Sequence, residues 1–306
     1  MGRGSYGFRK EWSWYTLVGV AAISMTALAA LAIVGLTLSL LGHFTLEGLP
    51  HVTWEFLTQP PRNNNTEGGI FPAIYGTVLL VVLMSLMGVP IGTATALYLS
   101  EYAREDSALT RWVRFGVNTL AGVPAIVFGL FGLGFFVQFL GKGIDRIFGL
   151  ELVWGKPAII WAAATMAVLT LPVVIVSVEE ALRSVPRHLR EAAFALGATR
   201  WQTIWHVVLP RALTGILTGS ILAVSRGAGE VAPILFLGVA YSLPELPKGL
   251  TSQFMELGYH LYVLSTQSPD VEATRPLQYA TTLVLLLTTF ALNLSAVLLR
   301  LRLRRG

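Results

Sequence analysis

The 306-residue chain contains no cysteine and little charge. The absence of cysteine excludes a disulfide scaffold, thiolate metal sites and cysteine nucleophiles. Charged residues make up 13% of the chain, about half of the roughly 25% that is typical of soluble domains. Hydrophobic residues make up 54%. So few charges cannot cover the surface of a soluble globule of this length, and the chain is too apolar to be disordered.

The sequence also lacks the common motifs of nucleotide binding and of hydrolysis. It has no G-x-x-x-x-G-K-[ST] motif, and therefore no phosphate-binding loop of its own. Its five histidines have no spacing typical of a metal site, and neither H-E-x-x-H nor G-x-S-x-G occurs. We therefore expect no metal and no directly bound cofactor. A membrane-embedded enzyme is one alternative, but no catalytic constellation supports it.

Long apolar stretches dominate the rest of the sequence. A helix needs about 20 mostly apolar residues to cross a bilayer, and five charge-free stretches meet this requirement. A sixth stretch is interrupted only by Arg226 and Glu230. Neither half of it is long enough to span alone, so we interpret it as one helix that carries two charges. The sequence thus predicts an all-α integral membrane protein with six transmembrane helices, near residues 14–41, 73–99, 115–140, 157–178, 212–241 and 277–299.

Lysine and arginine are distributed unevenly between the two sides of this predicted bundle. The side with both termini holds 15 of the 22 basic residues, and the other side holds 6. Because cytoplasmic loops carry the excess of Lys and Arg, we predict that both termini are cytoplasmic. The same distribution accounts for the net charge of +5, so nucleic-acid binding is not needed to explain it.

The loop between the fourth and fifth predicted spans carries a motif at fixed spacing. Its residues are Glu191, Ala192, Ala193, Gly197, Leu209 and Pro210. This pattern is similar to the EAA loop of ABC-importer permeases, E-A-A-x3-G-x9-I-x-L-P, and departs from it only at Val207. In that family the loop forms a short helix, a sharp turn at the glycine and a second helix, and it docks in a groove of a separate ATPase subunit.

The local residue types agree with that resemblance. Alanine allows close approach, Gly197 permits a sharp turn, and Pro210 suits the start of the next helix. An ordinary amphipathic connector is the alternative. The resemblance implies one permease domain over 1–306, with a peripheral first helix (14–41), core helices within 73–299 and a cytoplasmic coupling loop (179–211).

Three further segments resemble the membrane subunits of the phosphate-specific ABC importer. They are Glu67–Thr77, Leu120–Gly132 and Ser225–Pro233. The short N-terminus and the Leu99–Ala103 string look more like the A-type permease of that importer than its C-type partner. The resemblance runs from about residue 68 to the C-terminus, and it implies a bacterial inner-membrane protein. It also implies a second homologous permease, two ATPase subunits that use ATP and Mg, and an external phosphate-binding protein.

Arg226 and Glu230 are the only charges inside a predicted span. Each costs roughly 2.5–3.5 kcal/mol at a helix centre. Because they are four residues apart, they would share a helix face and could pair. One interpretation is a structural ion pair. The other is an anion path, since a guanidinium fork fits tetrahedral oxyanions, and the resemblance associates this Arg–Glu motif with phosphate passage.

Two alternatives within transport remain. An importer of another oxyanion, such as sulfate or molybdate, would also use a guanidinium, although the Arg226-Gly-Ala-Gly-Glu230 segment resembles phosphate permeases. A self-sufficient ion-coupled carrier would be expected to contain inverted repeats of broken helices, and it would have no use for the coupling loop.

Overall fold

The computed structural model describes residues 14–104, 106–268 and 270–303 of the chain. Within these residues, six helical segments are long and apolar enough to cross a membrane. Their bounds are Leu17–His51, Phe71–Tyr102, Ala125–Phe148, Ile159–Arg183, Arg200–Gly227 and Val271–Arg302. The prediction of an all-α protein with six membrane-spanning segments is therefore confirmed.

The α-helices of the described residues are numbered in chain order. They are α1 (Trp14–Gly48), α2 (Trp54–Thr58), α3 (Phe71–Leu97), α4 (Ala108–Ala121), α5 (Ala125–Gly132), α6 (Lys142–Phe148), α7 (Ile159–Arg183), α8 (Arg187–Ala195), α9 (Arg200–Thr203), α10 (Leu209–Gly227), α11 (Leu257–Thr266) and α12 (Val271–Leu303). π-helical segments continue α3, α5 and α9, over Tyr98–Tyr102, Leu133–Gly141 and Ile204–Val208. Short 3-10 helices cover Leu49–His51, Asn63–Asn65 and Ala232–Phe236, and strands β1 (Pro61–Arg62) and β2 (Glu67–Gly68) form an antiparallel hairpin.

The fourth span, α7, lies at the centre of the bundle. It is the most deeply buried of the six spans, and α3 and α10 pack along it. One part of the core contains Met84 of α3 and Met166 of α7, both almost fully buried. A second cluster, at the end of the bundle where α8 lies, joins Leu99, Leu182 and Val208. We call this end the loop end. The helix α7 thus connects the loop end to the middle of the bundle.

The first span lies at the periphery. No residue of its most apolar window is buried, and α1 packs against α12. Gly48 allows a close approach there, because a Cβ on it would lie 2.7 Å from the Tyr279 carbonyl oxygen. The orientation of the spans stays a prediction, since both termini lie outside the described residues. Five basic residues that contribute to it lie there too: Arg3, Arg9, Lys10, Arg304 and Arg305.

The third span differs from its prediction. The sequence predicts one helix over 115–140, whereas α4 ends at Ala121 and the spanning segment begins at Ala125. Gly122 and Pro124 interrupt the helix, because proline has no backbone N–H to donate and it disfavours the helical conformation of the residue before it. As a result, α4 is a separate helix that precedes the span and carries Arg111 and Arg114.

The fifth span differs as well. The sequence predicts one helix over 212–241, but α10 ends at Gly227, followed by a turn and the Ala232–Phe236 helix. Two glycines, Gly227 and Gly229, weaken the helix at this point. The span reaches sufficient length in the other direction, through α9 and its π-helical continuation, and covers 28 residues from Arg200. At 1.5 Å per residue this is about 42 Å, enough to cross a bilayer.

The segment after the fifth span is packed into the bundle. The Ala232–Phe236 helix lies against α5, where a Cβ on Gly129 would lie 2.6 Å from the Pro233 carbonyl oxygen. The sequence predicts a short helix on the outer surface within 250–264. The helix is α11, which buries Leu257 and Leu264 against its neighbours α3 and α12 and leaves Tyr262 exposed.

Candidate functional site

Arg226 and Glu230 line one cavity within the bundle. Its volume is about 100 Å³. One wall is the interruption between α4 and α5, and another is the middle of α7, where Thr170 and Pro172 lie. The remaining wall is the last turn of α10, which carries Arg226. A basic side chain is favoured at a helix C-terminus by the helix dipole, so the fold itself holds the guanidinium at this place.

The expectation that Arg226 and Glu230 share a helix face is wrong, and the ion pair that such a face would allow does not form. No ion pair that includes either side chain exists among the residues that the structure describes. The reason is the end of α10 at Gly227: the Glu230 N–H donates to the Gly227 carbonyl in a turn, so the two residues do not share a helix face. The structure does bring both side chains to the same cavity, where a cation and an anion lie among mostly apolar walls.

The second candidate region is the coupling loop. Glu191, Ala192 and Ala193 lie on α8, which ends in a Schellman turn. The Gly197 N–H donates to the Phe194 carbonyl (2.9 Å) and the Ala198 N–H to the Ala193 carbonyl (3.1 Å). Gly197 has φ of +84°, in the left-handed region that favours glycine. The motif glycine therefore occupies the one position of this turn at which an L side chain is strained.

A capping motif fixes the start of α9. The Thr199 hydroxyl accepts from the Gln202 N–H (3.3 Å), and the Gln202 side chain accepts from the Thr199 N–H (2.9 Å), which together form a capping box. Leu209 and Pro210 form the first turn of α10, where proline needs no hydrogen-bond acceptor. The loop is thus a helix, a glycine turn and a second helix.

Large apolar side chains of this loop are exposed. Leu196 is 89% exposed, Trp201 58% and Phe194 46%, and the ring of Trp201 contacts that of Trp205 at 5.2 Å between centroids. No residue of α8 is buried. Large apolar side chains exposed together in one loop favour a docking site for a partner or a membrane.

One charged cluster differs from its sequence interpretation. The sequence places Glu179 and Glu180 on a solvated face at the end of the fourth span; Glu180 is exposed, but Glu179 is buried. Arg114 of α4 donates to both of its carboxylate oxygens, at 2.6 and 3.2 Å, and Arg183 donates to one, at 3.0 Å. Because Arg114 is 65 residues away in the chain, no local pattern could have revealed the contact.

Asn293 of α12 is the remaining polar residue that the sequence singles out within a span. The sequence predicts an interhelical hydrogen bond for it rather than a ligand site. That bond is present, because the Ser225 hydroxyl donates to the Asn293 side-chain oxygen. It ties the last part of α10 to α12.

Comparison with known proteins gives the family. The model of the family described as "Binding-protein-dependent transport system inner membrane component" matches residues 88–305. The probable ABC transporter permease protein YqgI of Bacillus subtilis is 30% identical over 90% of this chain and 92% of its own length. The phosphate transport system permease protein PstA 1 of Mycobacterium tuberculosis is 34% identical over 76% of this chain and 71% of its own length.

Solved structures share the fold at low sequence identity. A chain of a bacterial alginate ABC transporter superposes with a TM-score of 0.65 and 17% identity, over 97% of this chain and 99% of the other. A chain of the MetNI methionine ABC transporter superposes with a TM-score of 0.57 and 19% identity, over 76% of this chain and 94% of the other.

The bundle is therefore that of the type I ABC importer permeases, a class of transport subunits rather than enzymes. The chain belongs to the family of binding-protein-dependent transport system inner membrane components. It is a multi-pass inner-membrane protein and an ABC transporter permease.

Proposed function

We propose that this chain is one of two permease subunits of an ATP-driven importer that moves inorganic phosphate into the cytoplasm. The observation that carries the proposal is the Arg226 guanidinium in a mostly apolar cavity between the interrupted third and fifth spans. A guanidinium offers a planar fork of donors that fits tetrahedral oxyanions. Relatives named as phosphate transport system permeases, from Mycobacterium tuberculosis and Mycobacterium leprae, support phosphate as the anion.

Glu230 gives this cavity the character of a transit site. Its carboxylate compensates the Arg226 charge when no anion is present and repels an anion that enters. Both side chains are accessible from the cavity, because Arg226 is exposed and Glu230 is half-buried. An anion is therefore drawn to Arg226 but is not held tightly, which suits passage rather than storage.

The coupling loop is the part of the chain to which we assign ATPase docking. Its exposed side chains Phe194, Leu196 and Trp201 need a partner surface, and the turn at Gly197 sets the angle between α8 and α9. The proposed assembly contains a second homologous permease, two ATPase subunits and an external phosphate-binding protein. ATP and Mg would bind to the ATPase subunits, and the coupling loop and both termini would face the cytoplasm.

The role of Arg226 is testable in the reconstituted full assembly. We expect Arg226→Gln to assemble and hydrolyse ATP while uptake of labelled phosphate falls by at least about tenfold, because a charge-assisted fork is lost. Arg300→Gln is the matched control, since Arg300 donates to Thr218 (2.7 Å) away from the cavity. Its uptake should equal that of the natural protein.

The double variant Arg226→Gln with Glu230→Gln separates transport from packing. Recovery of both assembly and uptake in the double variant would show that the two charges only stabilise the fold, and the proposal would then be wrong. Assembly without uptake supports it. Uptake of sulfate or molybdate in place of phosphate by the natural protein would instead favour the other oxyanion importers.

A further inference from the structure

Arg190 ties the coupling loop to two spans at once. This residue lies on α8, directly before the motif residue Glu191. Its guanidinium donates to the Glu101 carboxylate at 2.8 Å, to the Leu182 carbonyl at 2.9 Å and to the Val185 carbonyl at 2.7 Å. Glu101 lies in the π-helical end of the second span, and Leu182 lies in the last turn of α7.

This contact is well shielded from water. The Arg190 side chain is 17% exposed and that of Glu101 is 12% exposed. Ion pairs on the open surface contribute little because water screens them and the side chains lose entropy. A half-buried guanidinium with three oxygen acceptors in a fixed fork is stronger and holds its direction.

Apart from Arg190, α8 contacts α9 and the π-helical segment Ile204–Val208 of the fifth span. No residue of α8 is buried, and Leu189 packs only partly against the apolar cluster at the loop end. A cavity of about 500 Å³ lies between α8 and the ends of the second and fourth spans, and Phe194 and Arg190 line it. With open space on that side, α8 is held to the second and fourth spans through Arg190 more than through apolar packing.

The two spans that Arg190 contacts extend to the cavity that Arg226 and Glu230 line. Thr170 and Pro172, in the cavity wall, lie on the same helix as Leu182. Twelve residues of helix separate Thr170 from Leu182, about 18 Å along the axis. The second span reaches the same region, because a Cβ on Gly227 would lie 3.0 Å from the Met84 side chain.

We propose that Arg190 and Glu101 are positioning residues that transmit movement of α8 to the second and fourth spans. When the docked ATPase displaces α8, the ion pair makes the loop ends of both spans follow as one body, and the walls of the Arg226 cavity move with them. This inference rests on the proposed function, since it assumes that an ATPase acts on α8.

The test uses the full transporter in proteoliposomes, with phosphate uptake and ATP hydrolysis measured on the same sample. Arg190→Gln removes the charge, and Glu101→Ala leaves Arg190 with its two carbonyl acceptors, so α8 stays attached to α7. We expect both variants to assemble and to hydrolyse ATP. The ratio of phosphate imported to ATP hydrolysed should fall by about tenfold, the scale of one charge-assisted hydrogen bond.

A matched ion pair serves as the control. Arg275 and Glu272 pair at 2.7 Å at the start of α12 and are exposed, so Arg275→Gln and Glu272→Ala remove the same chemistry elsewhere. Their ratio should stay at the natural value. Because Arg190 and Glu101 act through one contact, the double variant Arg190→Gln with Glu101→Ala should be no worse than Arg190→Gln alone.

A distance measurement shows directly whether the ion pair between Arg190 and Glu101 holds α8 to the second span. The chain has no cysteine, so Tyr102→Cys and Ala195→Cys place one spin label at the end of the second span and one on α8. With the ion pair intact, the distance between the labels should stay constant when ATP is added, and with Glu101→Ala it should change. Natural coupling in Glu101→Ala, or a distance that is insensitive to it, would overturn the inference. A natural complex without ATP-dependent phosphate uptake would instead overturn the proposed function.

Discussion

Two buried ionisable side chains, Glu256 and His260, lie four residues apart at the start of α11. The Glu256 carboxylate caps the helix and accepts from the N–H groups of Gly258 (2.8 Å) and Tyr259 (2.7 Å). Burial raises the pKa of Glu256 above its ordinary value, although these hydrogen bonds oppose the shift. One turn later, burial lowers the pKa of His260 to about 4, and its Nδ1 atom has no hydrogen-bond partner among the described residues. His260 is therefore neutral in the folded protein at ordinary pH.

His260 makes stability depend on pH. Between about pH 6.5 and about pH 4 the unfolded chain binds a proton at His260 that the folded protein does not. Stability is therefore lost as the pH falls through this window. The loss is about 2 kcal/mol in the free energy of unfolding at pH 5 relative to pH 8. Denaturant titration of the detergent-solubilised protein at both values measures it.

The matched variant for this prediction is His260→Leu. It removes the imidazole and keeps Glu256, whose raised pKa acts in the opposite direction over the acid range. The difference between the two proteins therefore isolates His260. An equal loss of stability on acidification in both proteins would contradict the prediction.

At the scale of the helices, two glycines of the third span give a matched pair. A Cβ on Gly132 would collide with the Thr165 side chain of α7, whereas a Cβ on Gly134 would meet nothing within 4 Å. We expect Gly132→Ala to lower the free energy of unfolding by about 1–3 kcal/mol, because overpacking displaces neighbours. Gly134→Ala should be neutral or stabilising, since alanine favours a helix. Thermal unfolding of both variants in the same detergent measures the difference.

A second prediction at this scale concerns the coupling loop. Open space surrounds the Cβ direction of Gly197, so its φ of +84° decides which residues fit. Valine there costs roughly 1–2 kcal/mol or more in the left-handed region, and asparagine costs less. Gly197→Val should assemble in the membrane but import less phosphate per ATP, and Gly197→Asn should retain most coupling. Equal coupling in both variants would show that the turn is only a connector.

The sequence predicts the helical elements better than their ends. Six spans follow from apolar length alone, and the coupling-loop motif from its spacing. The break at Gly122 and Pro124 gives no signal in the charge pattern, because residues 115–141 contain no charge, although the α4 part of this stretch is much less apolar than α5. The end of α10 at Gly227 was missed for a related reason: the turn follows from backbone preferences of glycine, which hydropathy does not measure. The burial of Glu179 depends on Arg114 of another helix, and only the folded chain brings them together.

At the scale of the whole molecule, α7 connects the two candidate regions. Its middle forms a wall of the Arg226 cavity, and its end carries Glu179 and the carbonyl of Leu182, which hold Arg114 and Arg190. As the most buried span, α7 contacts both α3 and α10 along its length. Because a close-packed interior transmits strain, the arrangement suits communication between the loop end and the middle of the bundle.

The last prediction concerns the orientation of this bundle. The excess of Lys and Arg on one side predicts that the loop end and both termini face the cytoplasm. Since the chain has no cysteine, a single introduced cysteine can be labelled without background. In whole cells, a thiol reagent that cannot cross the membrane should label Glu151→Cys, in the exposed loop after α6, and should not label Leu196→Cys, which is 89% exposed at the loop end. In inverted vesicles the labelling should reverse, while reporters fused at Gly2 and Gly306 should both read as cytoplasmic. Labelling of Leu196→Cys in intact cells would place the coupling loop outside, where no ATPase could reach it, and would overturn both the orientation and the proposed coupling.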